Sequence, residues 1–180
     1  MIDEPTADEA KDMYAHFGLA IYCSSVLEHG VANALLILKL LEGRKSVKTR
    51  GDWEALVDKH YEGSFAQTLG SLIKQLGRHH ARSPALAAMA TDLQSCVTER
   101  NFLAHHFWRE HSERWFTANG RATMLHRLEK ARDLFAETDK KLDASMQPFE
   151  DRFGLTTDAT RREMELMKQE ISEEIRPNDQ

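Results

Sequence analysis

The apolar positions of this chain recur at steps of three and four along most of its length, and no segment alternates with the period of two that a strand requires. Phe17, Ile21, Ser24, Glu28, Val31, Leu35 and Leu38 advance in this way and predict one face of a long first helix, with Glu28 as its odd member. Thr6-x-x-Glu9 is a capping box for its start, and Gly43 is its stop. Residues 43–51 read as a basic, glycine-bounded loop carrying Arg44, Lys45, Lys48 and Arg50, followed by a short helix from Asp52 to Tyr61. Gly63 ends that helix, and Ser64-x-x-Gln67 caps another to about His80 with Phe65, Leu69, Leu72, Ile73 and Leu76 inward. Ser83-Pro84 supplies an N-cap and a first-turn proline. Leu86, Met89, Leu93, Cys96, Arg100, Leu103 and Phe107 then predict a helix reaching about His111.

Asn119-Gly120 breaks the pattern. From about Arg121, Leu128, Phe135, Leu142 and Phe149 hold one slot of a seven-residue repeat, and Met124, Ala131, Thr138 and Ser145 the other. The small residues of the second slot favour close approach of a neighbouring helix. Gly154 ends this helix, and Thr156-Thr157 open a charged last one from about Asp158 to Arg176. These elements predict an all-α fold, an antiparallel bundle of four main helices with short additional helices. The expected organisation is a bundle domain over 1–156 and a charged helix over 157–180 that packs on the bundle or on a partner subunit.

Composition supports a soluble globular chain: 41% of its residues are hydrophobic and 29% charged. The net charge of −5 argues against wholesale coating of nucleic acid, while leaving room for a local basic patch that binds phosphate. No run of about 18 apolar residues and no basic or hydrophobic leader is present, so the expectation is a cytoplasmic chain with no membrane association. Two cysteines, Cys23 and Cys96, each sit in an apolar helical pattern and read as free buried thiols. There is no glycine-rich phosphate loop, nucleophile elbow, Cys-x-x-Cys or Glu-x-x-His, so no cofactor and no metal site is expected.

The segment Arg100-Asn101-Phe102-Leu103-Ala104-His105-His106-Phe107-Trp108-Arg109-Glu110 carries the candidate chemistry. Arg100 occupies a slot in line with Leu93, Cys96, Leu103 and Phe107, where the pattern calls for a hydrophobe. A cation on the core side of a helix is costly unless paired. Five helical residues turn about 500°, so Arg100 and His105 diverge by about 140° at the backbone, a gap that a long arginine side chain can close. Asn101, His105 and Arg109 lie four apart and make a polar strip, with His106 beside it. Arginine can hold a phosphate and offset transition-state charge. Histidine, titrating near neutral pH, can move the proton of a ribose 2′-hydroxyl. The same Arg-to-His spacing recurs at Arg121 and His126, but Arg121 follows Asn119-Gly120 at a helix start and is expected to be solvated.

Arg100, Asn101 and His105 on a helix of an all-α bundle resemble the Arg-polar-x-x-x-His signature of the HEPN superfamily. The resemblance in layout covers about residues 10–150, and the specific match is those three positions. It implies a metal-independent endoribonuclease of toxin–antitoxin or other defence systems, working as a homodimer whose two motifs face one cleft, with RNA as substrate and a cognate antitoxin as a possible partner. Arg100 would bind phosphate, His105 would act as general acid and base, and Asn101 would orient one of them. Phe107 occupies the place where the branch paired with nucleotidyltransferase antitoxins has a tyrosine. The superfamily also holds non-catalytic members. The alternative is therefore a helical interaction or regulatory module in which Glu28 and Arg100 form a structural ion pair. Under the catalytic reading Glu28, Arg109 and His106 support the site.

Overall fold

The computed structural model describes residues 3–153, together with positions 162, 165 and 166. Among the described residues every regular element is helical: α1 (Ala7–Gly43), α2 (Arg50–Phe65), α3 (Leu69–Leu76), α4 (Pro84–Ala88), α5 (Ala90–His105), α6 (Phe107–Glu110) and α7 (Ala118–Glu150). Short 3-10 turns cover Arg44–Ser46, Gly77–Arg82, Arg114–Phe116 and Asp151–Phe153. The all-α expectation therefore holds. The chain divides into two compact units, Met1–Ser145 and Met146–Gln180, earlier than the boundary expected at 156. The charged helix expected over 157–180 lies outside the described residues apart from Arg162, Glu165 and Leu166, which are helical and exposed. In the second unit Gln147 Nε2 donates to Asp151 Oδ1 at 3.0 Å, and the Arg152 guanidinium lies 5.7 Å from the Phe149 ring centre.

The Thr6 capping box forms as read. Thr6 Oγ1 accepts from the Glu9 amide at 3.2 Å, and the Thr6 amide donates to Glu9 Oε2 at 2.8 Å. Of the expected stripe in α1, Ser24, Val31, Leu35 and Leu38 are buried, and Met13, Ala20, Leu27, Ala32, Ala34 and Leu40 join them. Leu27 takes the core position, Glu28 moves to its edge, and Phe17 and Ile21 are only half-buried. The stripe alternates steps of four and three, which average about 3.5 residues against 3.6 per turn, so it drifts by about 60° over its six steps. By length and composition Ala7–Ser46 could cross a membrane, its most apolar 18 residues having a mean hydropathy of 1.4. The stretch is interrupted at Glu28, His29 and Asn33, and the core helix of a bundle passes the same test of length and composition.

Side-chain contacts fix the direction of each helix. The α1 and α2 helices are antiparallel, with Leu56 beneath Gly43 and Lys39 Nζ donating to Ser64 Oγ at 3.4 Å. The α3 helix follows the direction of α1, from Leu72 near Ala32 to His79, whose Nδ1 lies 3.4 Å from Glu42 Oε1. The α5 helix runs back, with the Phe107 ring just beyond its end tilted against Phe17, centres 5.5 Å apart. The α7 helix reverses again, pairing Arg127 with Glu99 at 3.0 Å and Lys141 with Asp92 at 2.6 Å. Arg121 against Glu9 and His16 against Glu129 show that α1 and α7 run parallel. Five passes, counting α3, bring the last helix back to the direction of the first. All eight residues expected in the two slots of the α7 repeat are buried.

Several breaks fall elsewhere than expected. The α2 helix continues through Gly63 and Ser64, and Thr68 is the N-cap of α3. Thr49 and Asp52 cap the start of α2: Asp52 Oδ2 accepts from the Lys48 and Thr49 amides at 3.0 and 2.9 Å, which holds its carboxyl below the usual carboxylate range. The Ser83-Pro84 start is as read, with Ser83 Oγ accepting from the Leu86 amide at 3.3 Å. The single helix expected from there to His111 is instead three, interrupted at Met89 and at His106, whose φ of −127° and ψ of −27° leave the helical region. His79, near the end of the helix expected to about His80, is buried.

Gly120 does not break a helix. It lies in the first turn of α7, where its amide donates to Thr117 Oγ1 at 3.1 Å. A Cβ there would sit 2.1 Å from the Arg114 carbonyl oxygen, so the glycine permits a close backbone crossing. The next residue corrects a further expectation. Arg121 is only 5% exposed. Its guanidinium donates to the Asp3 carbonyl at 2.9 Å, Asp3 Oδ2 at 2.7 Å, Glu9 Oε1 at 2.9 Å and the Trp115 carbonyl at 3.2 Å. Together with the Thr6 amide, these contacts hold the Glu9 carboxyl below its usual range. The arginine expected to be solvated is therefore the buried one.

Candidate site at the α5–α6 break

The α5 helix positions the candidate motif by burying Leu93, Cys96 and Leu103, which leaves the intervening turns outward. Arg100 is half-buried, and Asn101 and His105 are exposed. Arg100 Nη1 donates to Asn101 Oδ1 at 3.4 Å. Among the described residues no ion pair joins Arg100 to Glu28, and no contact joins its guanidinium to His105. The Glu28 side chain instead lines a polar groove with Ser25, Ser64 and Gln67. Arg100 escapes the expected burial because the arc between Cys96 and Leu103 straddles the edge of the α5 core face.

The break at His106 redirects the expected polar strip. Arg109 reaches His106 rather than His105, its Nη2 lying 2.7 Å from His106 Nδ1. Arginine can only donate, so Nδ1 accepts and the ring proton of the neutral form is on Nε2. Glu110 Oε1 stands 3.9 Å from the same nitrogen. The His105 and His106 rings meet edge to face with centres 6.3 Å apart. Two imidazoles and a guanidinium thus share one solvent-accessible corner, with Arg100 and Asn101 about one turn back along α5.

Beneath this corner lies a layer that the sequence reading did not single out. Phe102 stacks on His106 at 6.4 Å, and the Arg127 guanidinium lies 3.9 Å over the Phe102 ring while pairing with Glu99. His111 is only 6% exposed, packed edge-on against Phe107 at 5.0 Å and Phe102 at 5.9 Å. Neither of its ring nitrogens has a hydrogen-bond partner, and the Arg127 Nε is likewise buried and unsatisfied. Burial pushes the His111 pKa down, helped by the Arg114 and Arg127 guanidiniums and opposed by Glu110. The sequence signal for this layer is the set of aromatic residues at 102, 107 and 108 around the histidines. Trp108 packs on Tyr14, Phe17 and Trp115 at 5.3–5.8 Å.

Among the described residues no group of three or more histidine, cysteine, aspartate or glutamate side chains is close enough to hold a metal ion. Cys96 is buried and donates to Thr138 Oγ1 at 3.4 Å, while Cys23 is half-buried; burial pushes both thiols up, away from the reactive thiolate. No family model, no curated protein and no solved structure matches this chain.

Proposed function

We propose that the α5–α6 corner is the active site of an HEPN-like endoribonuclease whose proton transfers are carried by histidine. The observation that carries this reading is the Arg100 guanidinium, held by Asn101 and free of any carboxylate among the described residues, one turn from the exposed His105. RNA brings its own nucleophile, so the protein needs only a cation for the phosphate and a group that moves a proton. Arg100 pairs with the non-bridging phosphate oxygens. His105 takes the proton of the 2′-hydroxyl as the O2′–P bond forms and the P–O5′ bond breaks. The leaving 5′-oxygen takes a proton from solvent or from the imidazolium. The products are a 2′,3′-cyclic phosphate and a 5′-hydroxyl. Arg109 and His106 complete the electropositive rim. A toxin or defence role, with a neutralising partner, is the biological setting this chemistry fits.

Incubation of the full chain with end-labelled RNA in the presence of EDTA tests the reading. Cleavage to cyclic-phosphate ends is expected. It falls by at least about a hundredfold in Arg100→Ala and His105→Ala, in line with the usual size of general acid–base contributions. RNA with a 2′-deoxy sugar at the cleaved position stays intact. No cleavage of any RNA offered, or full activity in both variants, refutes it.

A further inference from the structure

The side of α1 turned away from its buried face carries Ala15, Gly18, Leu19, Tyr22 and Val26, all exposed. Leu19 is 43% exposed, Tyr22 65% and Val26 37%. Asn33, also exposed, and the half-buried Ile37 continue the same line, which is covered within the chain at Leu40 before it reaches Arg44. Only 39% of the most apolar window of the helix is buried. Single exposed hydrophobes are ordinary, but a stripe of them along about three turns of one helix marks an interaction surface.

We propose that a second copy of this chain packs on the stripe, α1 against α1 in antiparallel fashion, about a two-fold axis at Val26. Charge complementarity selects this mate. Asp8 in the first turn is 95% exposed and pairs with the exposed Lys11 at 3.6 Å, an i,i+3 contact that a second copy's arginine can join, and Arg44 follows the last turn with helical backbone at φ −52° and ψ −34°. Thirty-six residues separate them, about ten full turns, so both lie on the stripe side of the helix. Val26 is midway, and an antiparallel mate sets each Asp8 against the other copy's Arg44. Glu4 and Asp12 reinforce the acidic end, and the exposed Lys45 and Lys48 the basic one. A parallel mate would juxtapose like charges.

The residues between the charged ends agree. The same axis places Ala15 opposite Ile37, Leu19 opposite Asn33, and Tyr22 opposite the turn at His29-Gly30. The half of each stripe that carries the exposed aromatic and aliphatic bulk thus meets the half that exposes less of it. Besides the exposed His29, Asn33 is a polar member between those ends. In this register it lies one turn from the other copy's Tyr22, within reach of a phenol hydroxyl that can both donate and accept. A two-fold contact needs this kind of self-complementary patch. A lipid surface is a poorer occupant, because His29 and Asn33 interrupt the stripe and its N-terminal end carries Asp8 and Asp12 about a single Lys11. The stripe is on the reverse of the α1 face that meets α5. The pairing therefore stands apart from any cleft in which two α5 motifs meet, and it does not depend on the ribonuclease reading.

Sedimentation of the full chain over a dilution series, at low and high salt, tests the proposal. A reversible monomer–dimer equilibrium that weakens with salt is expected. Tyr22→Glu and Val26→Lys each weaken it by at least about tenfold, or about 1.4 kcal/mol, with melting temperature unchanged. Asp8→Arg and Arg44→Glu each weaken association alone, and the double substitution restores it. A chain monomeric at every concentration overturns the proposal, as does one that instead binds phosphatidylcholine–phosphatidylserine vesicles through Tyr22. A dimer indifferent to Tyr22→Glu and Val26→Lys, or a double charge swap without recovery, overturns it equally.

Discussion

Gly120→Ala sets helix propensity directly against packing, and the structure says which wins. In the first turn of a helix, replacing glycine with alanine should stabilise by up to about 1 kcal/mol. The added Cβ, however, would lie 2.1 Å from the Arg114 carbonyl oxygen and 2.7 Å from the Arg114 Cα, both backbone atoms that cannot rotate aside. Ordinary contact needs about 3.4 Å, so the Arg114–Phe116 turn would have to retreat by roughly 1 Å from α7. That displacement strains the Thr117 amide bond to the Arg114 carbonyl, now 3.2 Å, and the Arg121 bond to the Trp115 carbonyl, also 3.2 Å. Two hydrogen bonds at about 1 kcal/mol each, plus overpacking of about 1–3 kcal/mol, outweigh the propensity gain. The expected net loss is about 2–4 kcal/mol, or roughly 5–15 °C in melting temperature for a chain of this length. Gly18→Ala is the internal control. It lies mid-helix in α1 with nothing within 4 Å of an added Cβ, so it should gain about 0.5–1 kcal/mol. Thermal and urea denaturation of both variants at low protein concentration measures the contrast. Equal stabilisation by the two alanines would refute the close crossing.

Three further outcomes follow from the same contacts. His111 is held neutral in the fold with its pKa below the ordinary value, so below about pH 6.5 the unfolded chain binds the extra proton. Stability is then full above that pH and declines as the pH falls. In His111→Leu, melting curves between pH 7.5 and 5 should lose much of this dependence; an unchanged slope would show that His111 is not its source. Arg100→Ala should cost less than about 0.5 kcal/mol, because its only described hydrogen bond is to its neighbour Asn101. Leu103→Ala, at a site 1% exposed, should cost about 2–5 kcal/mol, and urea titration separates the two. Arg121→Lys keeps the charge but loses the fork that reaches Asp3, Glu9 and Trp115 together, so the melting temperature should fall clearly and Arg121→Ala should lower it further.

The elements that were legible are those whose signal is local and repeated. The Thr6–Glu9 box, the Ser83-Pro84 start and the α7 repeat each combine cap chemistry or a strict period with one buried face, and each appears as read. The stops were less legible. Gly63 and Gly120 were read as breakers, since glycine is poor in helices, yet both lie within helices. At Gly120 the reason is a crossing by a segment that no local window contains. The breaks at Met89 and His106 carry neither glycine nor proline.

The two arginines of the repeated Arg-to-His spacing show why periodicity alone misplaces a candidate site. A stripe stepping by three and four specifies an arc of a helix, and the edge of that arc is wide enough for a long side chain to leave the core. Arg100 does so, and keeps its guanidinium accessible with Asn101 as partner. Arg121 sits where the pattern had broken, and is buried by three things from elsewhere in the chain: Asp3, Glu9 and the Trp115 carbonyl. A buried arginine with every donor directed at the fold is committed to structure. A half-buried one at the edge of the core face, without a carboxylate partner among the described residues, is the better candidate for a phosphate. The proposed role of the α5 segment therefore rests on the position of Arg100 at the edge of the core face and not on the cost of burying its charge. Arg100 matters because it is reachable beside His105, and the site stands or falls on RNA cleavage rather than on the cost of burying a charge.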